Sequence, residues 1–297
     1  MGKMAAANFR FVVSYDGTRY YGWEHQPNTD MTIQGKLETV LARMLMEERS
    51  YPAPPAGDEP AAPAGTGPAA PAGTQRGCAS PGSSDPGADP SCSVTVIGAG
   101  RTDAGVHARA MTCNALLATD RSEAEIQQYM NRYLPDDISV NEVKRAADRF
   151  HSRYNALGKT YRYTLWYAQD GRSPVFDRKY VTVLKEAPDI ARMREAAERL
   201  TGEHDYKSFC GNSHMKKSTV RRVDTIRIEA SGSYIRIYYH GNSFLQNMVR
   251  ILTGTLLECG YGRLAPEDMD RILEARDRTK AGPTMPPRGL CLMKVDY

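Results

Sequence analysis

Gly98-Ala99-Gly100-Arg101-Thr102-Asp103-Ala104-Gly105-Val106-His107-Ala108 is the stretch from which the rest of the chain is read. It follows a β-branched run, Val94-Thr95-Val96-Ile97, that predicts a strand. Gly98, Gly100 and Gly105 then interrupt any regular element, because glycine tolerates positive φ and lets another chain come close to its backbone. Between them stand one cation, Arg101, one carboxylate, Asp103, and one imidazole, His107. A strand therefore delivers a tight loop holding a single acid beside a fixed positive charge, the kind of loop on which chemistry is commonly placed. On composition alone, a turn whose aspartate only satisfies backbone amides fits the same residues.

Working outward, Phe9 to Tyr15 reads as a strand that Asp16-Gly17 ends. Ile33, Leu37, Val40, Leu41, Met44 and Leu45 make one apolar stripe of a helix, with Thr32 as its cap. Met111 to Leu117 and Ser139 to Val143 read as strands on either side of a helix, Glu123 to Tyr133. The first half thus runs β-α-β-β-α-β, a ferredoxin-like order. In the second half, Tyr161, Tyr163, Leu165 and Tyr167 alternate along a strand, Lys159 to Tyr167, and share one face. A strand around Val181, a helix from Ile190 to Leu200 and a polar loop from His204 to Ser218 follow. Next come a hairpin of Val223–Glu229 with Tyr234–Tyr239 and a buried helix through Leu245, Met248, Val249, Leu252 and Leu256. A short helix, Met269 to Leu273, and a closing strand, Leu290 to Val295, end the chain. The expected class is α+β: two α/β halves, 1–150 and 151–297, share one mostly antiparallel sheet, because several connections are hairpin-short. Pro52 to Cys92 holds no Val, Ile, Leu, Met, Phe, Tyr or Trp. With nothing to bury against the entropy of ordering, a disordered Pro/Ala/Gly-rich insertion is expected over 51–92.

The 297 residues allow one large domain or two modest ones, and a formal net charge of +4 permits an anionic partner without demanding one. The six cysteines form no Cys-x-x-Cys pair and no histidines cluster beside them, so neither a zinc site nor a disulfide framework is expected. A reducing cytoplasm is the expected location, and no run is apolar enough for a membrane span or a signal segment.

Gly100 to Ala108 resembles the signature of the TruA-type tRNA pseudouridine synthases. Four more segments match that family in order: Tyr15-Asp16-Gly17-Thr18 with Gly22-Trp23, Lys159 to Tyr163, Gly241 to Leu245 with Met248-Val249-Arg250, and Gly289-Leu290 with Val295-Asp296-Tyr297. The resemblance covers nearly the whole chain apart from the insertion, where the family has a short connection. It implies the pseudouridine-synthase fold with its active site in a central cleft, and isomerisation of uridine in the tRNA anticodon stem and loop, at tRNA positions 38–40. It implies no metal and no cofactor, and a homodimer with the RNA lying across both subunits. Asp103 matches the family's catalytic aspartate. Arg101 matches the arginine that holds the flipped-out nucleotide, Tyr161 the active-site tyrosine, and Arg250 the basic partner of the carboxylate. Whether Asp103 attacks sugar or base stays open. A glycosidic hydrolase is disfavoured because the loop offers no second carboxylate, and a silent RNA-binding module because Asp103, Arg101 and Tyr161 are all present. Lys144, Arg145, Arg149 and Arg153, and Lys216, Lys217, Arg221 and Arg222, are expected to contact backbone phosphates.

Overall fold

The computed structural model describes residues 5–50, 93–212 and 214–297. The expected disordered insertion therefore lies outside the described residues. The elements in chain order are β1 (Ala7–Tyr15), α1 (Ile33–Ser50), β2 (Ile97–Gly98), β3 (His107–Leu117), α2 (Glu123–Tyr133), β4 (Ile138–Arg145), β5 (Gly158–Trp166), β6 (Thr182–Val183), α3 (Ile190–Arg199), β7 (Gly202–Asp205), β8 (Val220–Ser231), β9 (Tyr234–Gly241), α4 (Met248–Gly260), α5 (Asp268–Ala275) and β10 (Leu290–Asp296).

One sheet joins them in the order β4-β1-β3-β10-β5-β9-β8-β7, with β2 against β3 and β6 against β5. Every pairing is antiparallel except β10 with β3 and β5 with β6. The last strand is thus the seam: β10 sets Cys291 opposite His107 on one side and Leu292 opposite Tyr161 on the other. That single insertion brings the end of the loop around Asp103 and the tyrosine strand to neighbouring positions.

The helices form where their sequences direct. In α2, Ser122 caps Glu125 and Glu125 returns the bond to Ser122, a reciprocal capping box. The stripe read from α1 is buried: Ile33, Leu37, Leu41 and Met44 are at most 1 % exposed. Tyr163, Leu165, Ile237 and Tyr239 are fully buried side chains of β5 and β9. The Tyr239 hydroxyl shares a 2.8 Å hydrogen bond with Thr253 of α4, so that helix packs across the tyrosine face of the sheet.

Three local expectations need correction. The run Val94–Ile97 contributes only Ile97 to a strand; Val94 and Val96 are buried, but β2 pairs with β3 through Ile97 and Gly98 alone. Burial of β-branched side chains gave them a strand-like pattern without a ladder. Strand β3 starts at His107 rather than Met111, because the loop makes its last positive-φ turn at Gly105 and β10 offers partners from His107 onward. The polar loop His204–Ser218 begins inside β7, which pairs with β8 at the sheet's end. An edge strand half in solvent tolerates Glu203, His204 and Asp205, so its polarity hid it.

Candidate active site

The loop between β2 and β3 is fastened from below by the segment after β1. Trp23 N donates to Thr102 O at 3.1 Å and Gly105 N donates to Tyr20 O at 3.2 Å. Gly22 has φ +107°, and a Cβ there would stand 2.7 Å from Thr102 O, so this contact excludes any side chain. Gly105 likewise turns with φ +77°. Thr102 is tied to Tyr15 by a buried 2.8 Å hydroxyl–hydroxyl bond. His107 accepts from Gly17 N at Nδ1 (3.0 Å), which assigns the proton to Nε2, 3.1 Å from Lys179 O. Burial lowers its pKa despite nearby Asp16. A neutral ring making those two bonds is a brace, so the Asp16 contact at 3.2 Å is proximity rather than an ion pair. Thr102 and His107 thus hold the loop.

Asp103 stands partly exposed at the tip. Its Oδ2 receives Arg250 Nη1 at 3.2 Å, an ion pair whose arginine side chain is 15 % exposed and whose carboxylate is 35 % exposed. Arg250 is fixed at three points, since Nε donates to Met285 O at 2.6 Å and Nη1 also donates to Asn247 Oδ1 at 2.7 Å. Asn247 holds a left-handed conformation, φ 59°, just before α4. Asparagine accepts that region more readily than most side chains. The guanidinium therefore meets the carboxylate with its rotamer already decided, which is the condition for orienting a reacting group.

Tyr161 lies on the same side. It is 8 % exposed and its ring stands edge-on to Phe244, centroids 5.3 Å apart at 85°. Burial, and secondarily the charge of Asp103, pushes its phenol well above the usual range, so the hydroxyl keeps its proton. Tyr163, two residues on, is core: its hydroxyl donates to Pro286 O at 2.6 Å and pairs with Thr182 Oγ1 at 2.7 Å.

The structure thus brings Asp103, Arg250 and Tyr161 together. Arg101 is apart: its exposed guanidinium pairs with Glu24 at 2.5 Å on the outer rim of the loop. The sequence assigns no role to Asn247, to the Met285 carbonyl or to Phe244, which stands only within the matching segment Gly241 to Leu245. Asn247 and Phe244 fall inside a segment read for its apolar stripe and for Arg250, so their polar and aromatic roles had no separate signal. The Met285 carbonyl has none in any sequence. Among the described residues, no group of three or more His, Cys, Asp or Glu side chains is placed to share a metal ion.

The arrangement offers one carboxylate, a fixed cation beside it and a protonated phenol across from it. That set can attack or trap an electrophilic carbon and move a proton, without a second acid. The model of a family described as tRNA pseudouridine synthase matches residues 11–155 and 196–297. A protein named tRNA pseudouridine synthase A from Bacillus sp. (strain KSM-64) is 37 % identical over 275 residues, covering 93 % of each chain. Two more are tRNA pseudouridine synthase A from Clostridium kluyveri, 35 % identical, and tRNA pseudouridine synthase A 2 from Bacillus anthracis, 33 % identical. Each aligns over 290 residues, 98 % of this chain and 99 % of the relative. With the loop acid and its partners in place, and with matches of this extent, the chain belongs to the tRNA pseudouridine synthase family.

Proposed function

We propose that the protein isomerises uridine to pseudouridine in the anticodon stem and loop of tRNA, with Asp103 as the catalytic carboxylate. The observation that supports it most is the reach of Arg250 across the chain to Asp103, 3.2 Å away. Residues 1–150 carry the loop, and residues 151–297 complete the cleft with Tyr161 and Arg250. The reaction breaks the bond from C1′ to N1, turns the uracil and joins C1′ to C5. The C5 hydrogen leaves as a proton and N1 ends with one. Nothing is oxidised or reduced. Asp103 supplies the electron pair that traps the intermediate, Arg250 aims it, and Tyr161 faces the base and handles a proton. Arg101 acts from the rim: on release from Glu24 it fills the space left by the extruded nucleotide or contacts its backbone. The target base must leave its stack before C1′ can be reached.

The protein works as a homodimer, supported by Phe176 and Val175, which are 94 % and 60 % exposed on one loop. It works in the cytoplasm, supported by Cys113, Cys210, Cys259 and Cys291, all free thiols. No helix among the described residues is long and apolar enough to cross a membrane.

The functional test is position mapping. Unmodified tRNA transcript treated with the protein is expected to gain pseudouridine in the anticodon stem and loop, and transcripts with cytidine at those uridines are expected to gain none. Conversion elsewhere only, or none, contradicts the proposal.

Arg250→Lys keeps the charge but not the fork that spans Met285 O, Asn247 and Asp103. Turnover is expected to fall about tenfold or more, and stability by about 1–3 kcal/mol as a buried acceptor loses its donor. Single-turnover rate and thermal melting measure both; an unchanged rate with lowered stability would make Arg250 purely structural.

Replacing residues 52–92 with a short linker is expected to leave melting temperature and turnover close to those of the full chain. The segment has no large apolar side chain to contribute. A large loss in either quantity would assign it a structural or RNA-contacting role.

A further inference from the structure

The catalytic reading leaves Lys159, beside the loop, without a task, and it stands near Arg153 and Arg221 of the two basic runs. Lys159 stands on β5 two residues before Tyr161. Two residues along a strand place side chains on one face about 7 Å apart. Its ammonium lies against the loop backbone at Gly100, where a Cβ would come within 3.2 Å of Nζ. The position three residues before Asp103 is thus kept free of a side chain over this nitrogen. The register sets Lys159 opposite Gly241 of β9 and Gly241 opposite Val223 of β8, and Arg221 lies two residues from Val223, so Lys159 and Arg221 share one face of the sheet. Arg153 also bears on Lys159 electrostatically. Arg221, on β8, buries its Nε without a hydrogen-bond partner, while its Nη1 donates to Ser218 O at 3.0 Å and Val220 O at 2.6 Å. Its charge is therefore held in place by the backbone rather than balanced by an acid.

The acids of this region are engaged elsewhere. Asp224 pairs with Arg222 and His240, and Asp296 with His240 and Lys294. The ammonium of half-buried Lys159 makes no ion pair or hydrogen bond among the described residues, while its backbone pairs within the sheet. Burial and the two arginines draw its pKa down to about 8, the expected response of a cation among cations with no counter-charge. An anion seated between the three groups removes that penalty, and lysine and arginine are the side chains suited to a phosphate.

We propose that Lys159, Arg153 and Arg221 form a phosphate subsite that grips the RNA backbone next to the target uridine. Its position selects that phosphate: Lys159 is one same-face step from Tyr161 and touches the loop that carries Asp103, so one nucleotide can contact both. Lys159 is then a positioning residue, holding the extruded nucleotide by its backbone while the base turns. The inference rests on the synthase reading above.

The test is a binding measurement without turnover. It uses full-length Asp103→Asn protein and anticodon stem-loop RNAs carrying one uncharged methylphosphonate at a chosen linkage. Adding Lys159→Met is expected to weaken native RNA about tenfold and to reduce the slope of log affinity against log salt by about one. A methylphosphonate beside the target uridine is expected to weaken binding by the same factor when Lys159 is present and by little when it is Met. At remote linkages the two losses should multiply. Arg221→Gln, which leaves β5 untouched, is expected to show the same pattern and serves if the Lys159 variant does not fold. Losses that multiply at every linkage, or an unchanged salt slope in both folded variants, would overturn the subsite. Failure of the unsubstituted protein to form pseudouridine would instead overturn the synthase reading, so the two failures are distinct.

Discussion

Asp103→Asn is expected to abolish pseudouridine formation, by on the order of 10⁴-fold or more, the scale reached when a nucleophile is removed. Asparagine has the same shape and still offers an oxygen to Arg250 Nη1, which is 3.2 Å from the carboxylate in the structure. The loop also keeps its anchors through Trp23, Tyr20 and Tyr15. The fold should therefore survive, and so should RNA affinity, which depends on many phosphate contacts rather than on one acid. What disappears is the electron pair at the only carboxylate of the loop. Rate and affinity measured on the same preparation separate the two effects. Substantial product from the purified variant would remove Asp103 from the chemistry.

The second large effect is at Tyr161, where two substitutions separate two roles. Tyr161→Phe keeps the ring, its edge-on packing on Phe244 and its stacking surface, and removes only the hydroxyl. The phenol is held protonated by burial and by Asp103, so it can donate to the departing base or relay the C5 proton. Both actions need the hydroxyl. Phe is thus expected to fold and bind tRNA normally and to turn over at least about a hundredfold more slowly, the low end of acid–base contributions. Tyr161→Leu removes the aromatic face too, and is expected to lose a further 1–3 kcal/mol, roughly, of base stacking. Melting temperature, tRNA affinity and single-turnover rate on both variants decide the matter. Phe at the wild-type rate would remove the proton role. Leu that is only less stable would make Tyr161 another core ring like Tyr163.

What the sequence shows and hides follows from the range of the interactions. The alternation of Tyr161, Tyr163 and Leu165 gives the buried face of β5, and the spacing of Ile33, Leu37, Leu41 and Met44 gives that of α1, because both periods are local. The loop around Asp103 is legible because its glycines are unusual at that density. Pairing of distant segments is not. Nothing in Leu290–Asp296 says that it inserts between β3 and β5, yet that insertion positions Tyr161 beside the loop. Arg250 reads as a residue off the apolar stripe of its helix; that Met285 O and Asn247 hold it toward Asp103 is visible only in the fold. Arg101 shows the opposite case. It stands two residues from Asp103 in sequence, yet the turn directs it outward to Glu24, and the distant Arg250, which the resemblance gives as the basic partner of the carboxylate, takes the inner place.

The most direct measurement follows the hydrogen at C5. Joining C1′ to C5 must expel it, whereas hydrolysis of the C1′–N1 bond leaves it on free uracil. An anticodon stem-loop RNA carrying tritium at C5 of its uridines should therefore release one tritium to water for each uridine converted, with no free uracil and an uncut chain. Tritium found on released uracil, or tritium retained while the uridines are consumed, would contradict isomerisation at the Asp103 site.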